Sequence, residues 1–226
     1  NDHFRHHLIG ESVMATEKLY DMMTRISSSY GSSGLTACAI SAVDLAVWDA
    51  KGKCLGMPVY ELLGGPQKDR IPCYATGFEL DWYKELGFSA FKLPNLFGPE
   101  DGTAGIRQTE EMVATTRENI GPDAELMLDC WMALDVDYTV RLGEALKPYR
   151  LKWIEDFLLP DDMAGFMEVR RRLPGQSLAT GEHWHLSRVF SRAAEQRLVD
   201  YFQPDLMWTG GISACVRICH IAEAAG

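Results

Sequence analysis

The sequence has no apolar run of the roughly 18 residues that a membrane-spanning helix needs. It has no Cys-x-x-Cys pair and no glycine-rich phosphate loop after an early strand-like segment. It also lacks an excess of positive charge, since 22 Lys and Arg stand against 32 Asp and Glu, a net charge of −10. Each lack excludes something. No membrane span is expected, and neither nucleic acid nor an anionic membrane surface is expected as the main partner. An anionic substrate is disfavoured too, unless a local cation or a metal overrides the field. The cysteines, Cys38, Cys54, Cys73, Cys130, Cys215 and Cys219, are scattered and read as reduced thiols of a cytoplasmic protein. Asn1 to His7 has no signal-peptide form, and both ends of the chain read as cut rather than finished.

What is present is apolar residue enough for a full core, 46% of 226 residues. Up to residue 66 the pattern is helical. One helix is expected over 11–30, with Met14, Leu19, Met22 and Ile26 in phase. A second, over 36–51, places Ile40, Val43, Val47 and Trp48 on one face and stops at Gly52. Asp44 falls near that apolar face and reads as a salt-bridge partner. A short helix runs from Pro58 through Leu63 and ends at Gly64-Gly65-Pro66.

From Ile71 the texture changes to alternation of strand and helix. Strands are expected over 71–75, 88–93, 125–130, 151–155, 178–182 and 199–206. The helix after the fifth begins at Ser187, and the last carries Ile212, Cys215, Val216 and Cys219 on one face. Six such repeats imply a parallel sheet with right-handed crossovers. A doubly wound sheet finds no support without its phosphate loop. An α/β fold of the (β/α) barrel type is therefore expected, incomplete because a closed barrel needs eight strands.

Three of these strands run into an acid, Asp129, Glu155 and Glu182, at intervals of 26 and 27 residues. Strand ends of a parallel barrel converge on one face. Three carboxylates brought together repel one another unless a cation joins them. The spacing points to a hard-metal site, with three separate surface ion pairs as the alternative.

The helix Ala39 to Asp49, followed by Gly52 and by Pro58-Val59-Tyr60-Glu61-Leu62-Leu63-Gly64-Gly65, resembles the mandelate racemase branch of the enolase superfamily, as does the series of acids. The resemblance covers nearly the whole chain. Within the branch it is nearest to the L-rhamnonate dehydratases, on Phe91-Lys92-Leu93-Pro94, Gly98-Pro99-Glu100-Asp101-Gly102 and Leu128-Asp129-Cys130-Trp131-Met132. It implies that 67–226 are the first six βα units of a modified TIM barrel. Residues 1–66 would then be the helical C-terminal part of an α+β capping domain. It implies Mg²⁺ on Asp129, Glu155 and Glu182, a small-molecule sugar-acid substrate and a homo-oligomer. The reaction implied is dehydration through an enediolate to a 2-keto-3-deoxy acid.

By the same resemblance Lys92 neutralises the substrate carboxylate, with a lysine lying along apolar surface as the alternative. Pro94 stands where the branch has a second lysine and cannot act as a base, which favours dehydration over racemisation. Asp205 resembles the aspartate that orients a histidine base, and that histidine is expected after Gly226. His183 reads as an acid or substrate contact, His185 as lining the site and Trp131 as a wall for the sugar. Packing or surface roles stay open for all three. His220 reads as structural, and His3, His6 and His7 as a frayed terminus rather than a metal cluster. Three other readings stay open: another acid-sugar dehydratase or racemase of the superfamily, a barrel glycosidase using two of the acids, and a barrel without turnover.

Overall fold

The structure, a computed structural model, describes residues 2–226. In chain order the elements are α1 (Asp2–Leu8), α2 (Thr16–Ser27), α3 (Leu35–Leu55), α4 (Val59–Leu62), β1 (Ala75–Thr76), α5 (Leu80–Glu85), β2 (Ala90–Pro94) and α6 (Gly102–Ile120). There follow β3 (Glu125–Asp129), α7 (Val136–Leu146), β4 (Ile154–Glu155), α8 (Met163–Arg172), β5 (Leu178–Thr180), α9 (Ser187–Glu195), β6 (Tyr201–Phe202) and α10 (Gly211–Ala225). These fall into two compact units, one of residues 1–70, 181–195 and 203–226, the other of residues 71–180 and 196–202. Among the described residues no helix is long and apolar enough to cross a membrane.

In the first unit α3 packs against α2 and α10. Its buried stripe is Ala37, Ile40, Ser41, Asp44, Trp48 and Gly52, the spacing of one helix face. Gly52 does not stop this helix. It continues to Leu55 and ends where Gly56 takes a left-handed φ of 65°. Among the described residues Asp44 forms no salt bridge and is held by hydrogen bonds instead. Its Oδ2 accepts from the Ser213 backbone N–H at 3.0 Å and its Oδ1 from the Ser213 hydroxyl at 2.6 Å. The carboxylate therefore satisfies donors at the start of α10, as a capping side chain does, but from another helix. Along the same face of α3, Ser41 Oγ accepts from the Gly210 N–H at 2.8 Å and the Trp48 indole donates to Ser213 Oγ at 3.0 Å. The buried face of α10 is Gly211, Ser213, Ala214 and Ile218, not the Ile212–Cys219 face. Small residues there let α3 approach closely, and His220 is exposed.

The second unit is a parallel sheet in the order β1-β2-β3-β4-β5-β6. A doubly wound sheet reverses direction at a switch point. This one advances strand by strand, as a barrel wall does, so the α/β barrel expectation holds in winding and strand number. The strands are shorter than their apolar runs suggested. β1 keeps only Ala75 and Thr76, because Pro72 has no N–H to give to a ladder and Ile71 is exposed. β4 keeps Ile154 and Glu155, and β5 stops at Thr180. Helices α6 and α7, and α7 and α8, pack side by side. Asp162 caps α8 through the Gly165 N–H at 2.9 Å.

Candidate metal centre

Side chains on one face of β2, β3, β4 and β5 fall into two layers. The lower layer is apolar, with Ala90, Met127, Trp153 and Ala179 forming one buried cluster. Two residues on, strand alternation brings Lys92, Asp129 and Glu155 to the same face. Asp129 and Glu155 are paired directly across β3 and β4. Sequence hydrophobicity thus builds the floor, and the charged layer stands at the C-terminal ends of the strands.

Lys92 Nζ donates to Glu155 Oε1 at 2.7 Å and lies 3.0 Å from Asp129 Oδ2. Glu155 is 1% exposed and Lys92 7%. Burial alone would lower the Lys92 ammonium. The hydrogen bond and charge of Glu155, with those of Asp129, outweigh it and hold Lys92 above its ordinary value. Lys92 is therefore a buried, charged lysine rather than one lying along apolar surface. The other oxygen of Glu155 accepts from the Trp153 indole at 2.8 Å. Trp153 had no role in the sequence reading, because an aromatic residue two before a strand-end acid reads as core.

Asp129 Oδ1 accepts from the Trp131 N–H at 3.0 Å. Trp131 itself is 68% exposed, which removes core packing as its role. The chain just past the acids takes left-handed φ values at non-glycine residues: Trp131 (42°) and Met132 (64°) after Asp129, and Asp156 (45°) after Glu155. Such conformations cost free energy and collect where a fold must aim side chains at a task. Asp156 is buried and accepts from the Thr180 hydroxyl at 2.5 Å.

Glu182, His183, His185 and Asp205 belong to the other unit. Gly181 precedes Glu182 with φ 137°, and a Cβ there would lie 2.9 Å from Phe190 and 3.0 Å from the Gln203 nitrogen. Only glycine fits. Glu182 Oε1 lies 3.1 Å from His183 Nε2, and the His183 ring packs against Trp208 at 5.3 Å. Asp205 Oδ1 accepts from the Met207 and Trp208 N–H groups at 2.6 and 3.1 Å, so it shapes the turn that carries Trp208. Burial, with the charge of His183 added, holds His185 below the ordinary imidazole value.

The residues in hand fit a hard cation. Asp129 and Glu155 already aim one oxygen each at a single positive charge, the Lys92 ammonium. The donor set is all carboxylate oxygen, the type that Mg²⁺ takes. A cavity of about 740 Å³ opens at the opposite, N-terminal ends of the strands, bordered by Tyr74, Glu125, Lys152 and Trp153 and by none of these acids.

Residues 79–226 match the family described as enolase C-terminal domain-like, and residues 1–64 match the mandelate racemase / muconate lactonizing enzyme N-terminal domain. The chain is 45% identical over 225 residues to an L-rhamnonate dehydratase of Saccharopolyspora erythraea, covering 99% of this chain and 58% of that protein. It superposes with TM-score 0.95 and 40% identity on the L-rhamnonate dehydratase of Gibberella zeae, covering 99% of this chain and 57% of that one. The Gibberella enzyme complexed with Mg gives the same TM-score and identity, with 55% of its chain covered. The 3,6-anhydro-D-galactonate cycloisomerase of Zobellia galactanivorans superposes with TM-score 0.89 at 33% identity, covering 99% of this chain and 64% of that one. The chain thus spans a little over half the length of these L-rhamnonate dehydratases.

Proposed function

The chain belongs to the mandelate racemase / muconate lactonizing enzyme family of the enolase superfamily, and on that footing we propose that it serves an acid-sugar dehydratase acting on L-rhamnonate. The observation that carries this reading is the convergence of Asp129 and Glu155 on one cation at the ends of adjacent parallel strands. Residues 1–66 are assigned to the capping domain and 67–226 to the catalytic barrel, and Asp129, Glu155 and Glu182 to Mg²⁺. When bound, Mg²⁺ supplies the positive charge that stabilises the anion formed on proton loss next to a carboxylate.

Apart from that of the histidine base, the remaining roles fall to the chain's own residues. Lys92, buried and charged, would pair with the substrate carboxylate, while Asp129 and Glu155 would hold the metal. Asp205 orients the histidine that takes the α-proton, and His183 protonates or contacts the hydroxyl that leaves from the neighbouring carbon. The enol left behind tautomerises to the ketone, so the net change is loss of one water to give a 2-keto-3-deoxy acid. Pro94 offers no second base on the opposite face. Trp131, exposed beside Asp129, is assigned to the sugar wall and His185 to the lining. The test is formation of 2-keto acid from L-rhamnonate by the polypeptide that carries this sequence, with Mg²⁺ and after EDTA. Product with Mg²⁺ and none after EDTA is expected. EDTA-resistant hydrolysis of a glycoside would replace this reading with the glycosidase one.

A further inference from the structure

Trp153 is the group whose place at the centre goes unused in that chemistry. Its indole N–H holds Glu155 Oε2 at 2.8 Å, while Glu155 Oε1 is the oxygen turned toward Lys92. The ring is fixed on several sides. Tyr74 meets it edge-on at 5.8 Å and 78°, and Tyr201 lies against it at 5.0 Å and 46°. Ala90, Met127 and Ala179 complete the packing, and the ring is 7% exposed. The indole thus fixes the direction of the carboxylate, with Oε2 engaged by the N–H and Oε1 facing the Lys92 side.

That matters for cation choice. Ca²⁺ accepts six to eight oxygens and takes carboxylates with one or both oxygens, whereas Mg²⁺ demands a compact octahedron. We propose that Trp153 is a positioning residue that restricts Glu155 to one-oxygen coordination and so biases the centre toward Mg²⁺ over Ca²⁺. This rests on the assignment of Glu155 as a metal ligand. Trp153 acts here as groups behind a metal's ligands generally do, by fixing ligand orientation through the atom the metal does not use.

The experiment measures Mg²⁺ and Ca²⁺ affinities by calorimetric titration for the wild type, Trp153→Phe and Glu155→Gln. Trp153→Phe keeps an aromatic ring and removes the N–H. It is expected to lower the ratio of Mg²⁺ to Ca²⁺ affinity about tenfold, within the range such orienting partners command. A ratio that stays fixed overturns the inference, including the case where both ions weaken alike, as lost packing alone would cause. Glu155→Gln separates the two levels. If it leaves Mg²⁺ affinity unaltered, the ligand assignment itself fails. If it weakens Mg²⁺ while Trp153→Phe leaves the ratio fixed, only the role of Trp153 fails. Should Trp153→Phe not fold, the wild type decides through its infrared difference spectrum on Mg²⁺ binding. The Glu155 band, assigned by its loss in Glu155→Gln, is expected to show the wide splitting of one-oxygen coordination, and the narrow splitting of two-oxygen coordination would overturn the proposal.

Discussion

Lys92 lies between two carboxylates whose mutual repulsion it cancels, and it does so while almost fully buried. Removing one member of a buried charge group leaves the others uncompensated, at a cost of about 3–5 kcal/mol. Lys92→Met is therefore expected to lower the stability of the metal-free protein by about that much. Saturating Mg²⁺ should restore most of the loss, because the metal replaces the missing charge between Asp129 and Glu155. Metal affinity is expected to rise, as that restoration requires, while substrate binding and turnover both fall. Thermal denaturation with and without Mg²⁺, alongside steady-state kinetics, checks this. Equal stability of variant and wild type in both conditions would make Lys92 a packing residue.

At this scale the sequence was informative about acids and silent about their partners. Asp129 and Glu155 stand out because a carboxylate at the end of an apolar run is expensive unless it has a task. Trp153 does not stand out, since an aromatic residue in a strand reads as core. Its polar handle becomes visible only when the indole is seen on Glu155.

Among the elements, the pairing of α3 with α10 carries a second buried carboxylate. Burial, the largest influence, raises Asp44 above the ordinary carboxylate value, against the hydrogen bonds from Ser213 and Ile212 that lower it, and the nearby charge of Glu17 raises it further. The folded state thus binds the Asp44 proton more tightly than the unfolded chain does. Between the ordinary value and the raised one, folding takes up a proton, so this group's contribution to stability falls as pH rises. Above the window the cost of the buried charge is fully present. Asp44→Asn keeps one acceptor and removes the charge. The stability of wild type relative to Asp44→Asn should therefore decline as pH rises through that window and level off above it, as read from denaturant midpoints. A difference independent of pH would contradict the assignment.

Gly211 is bound to the same device. Its φ is 79°, and a Cβ there would collide with Asp44 Oδ2, so Gly211→Ala is expected to destabilise by at least the roughly 1 kcal/mol of a left-handed residue. Chemical denaturation of the variant measures it, and an unchanged midpoint would contradict the close contact. None of this was legible in sequence. The apolar stripe of α3 showed which face is buried, but Asp44 and its partner Ser213 are 169 residues apart. Nothing local announces that pairing, and an acid on an apolar face reads as an ion pair.

Across the whole molecule, alternation of pattern sufficed for strand number and winding. The parallel order β1 to β6 sets each strand beside the next in sequence, as strand–helix alternation implies. Strand limits were less legible, because residues such as Leu151 and Trp153 are as buried as a strand's own, and burial rather than ladder pairing is what apolar composition records. Residues 181–195 and 203–226 fall in one compact unit with the helices before residue 71, an association that depends on tertiary packing and leaves no local mark in the sequence.

The proposed metal centre rests on three acids of this chain, Asp129, Glu155 and Glu182, holding one Mg²⁺. Calorimetric titration of Mg²⁺ into the wild type and into Asp129→Asn, Glu155→Gln and Glu182→Gln tests it most directly. One ion per chain is predicted for the wild type, with each single variant weakening it by tenfold or more, as loss of a charge-bearing ligand should. Wild-type affinity in any one of the three variants would remove that residue from the centre, and wild-type affinity in all three would contradict the claim outright.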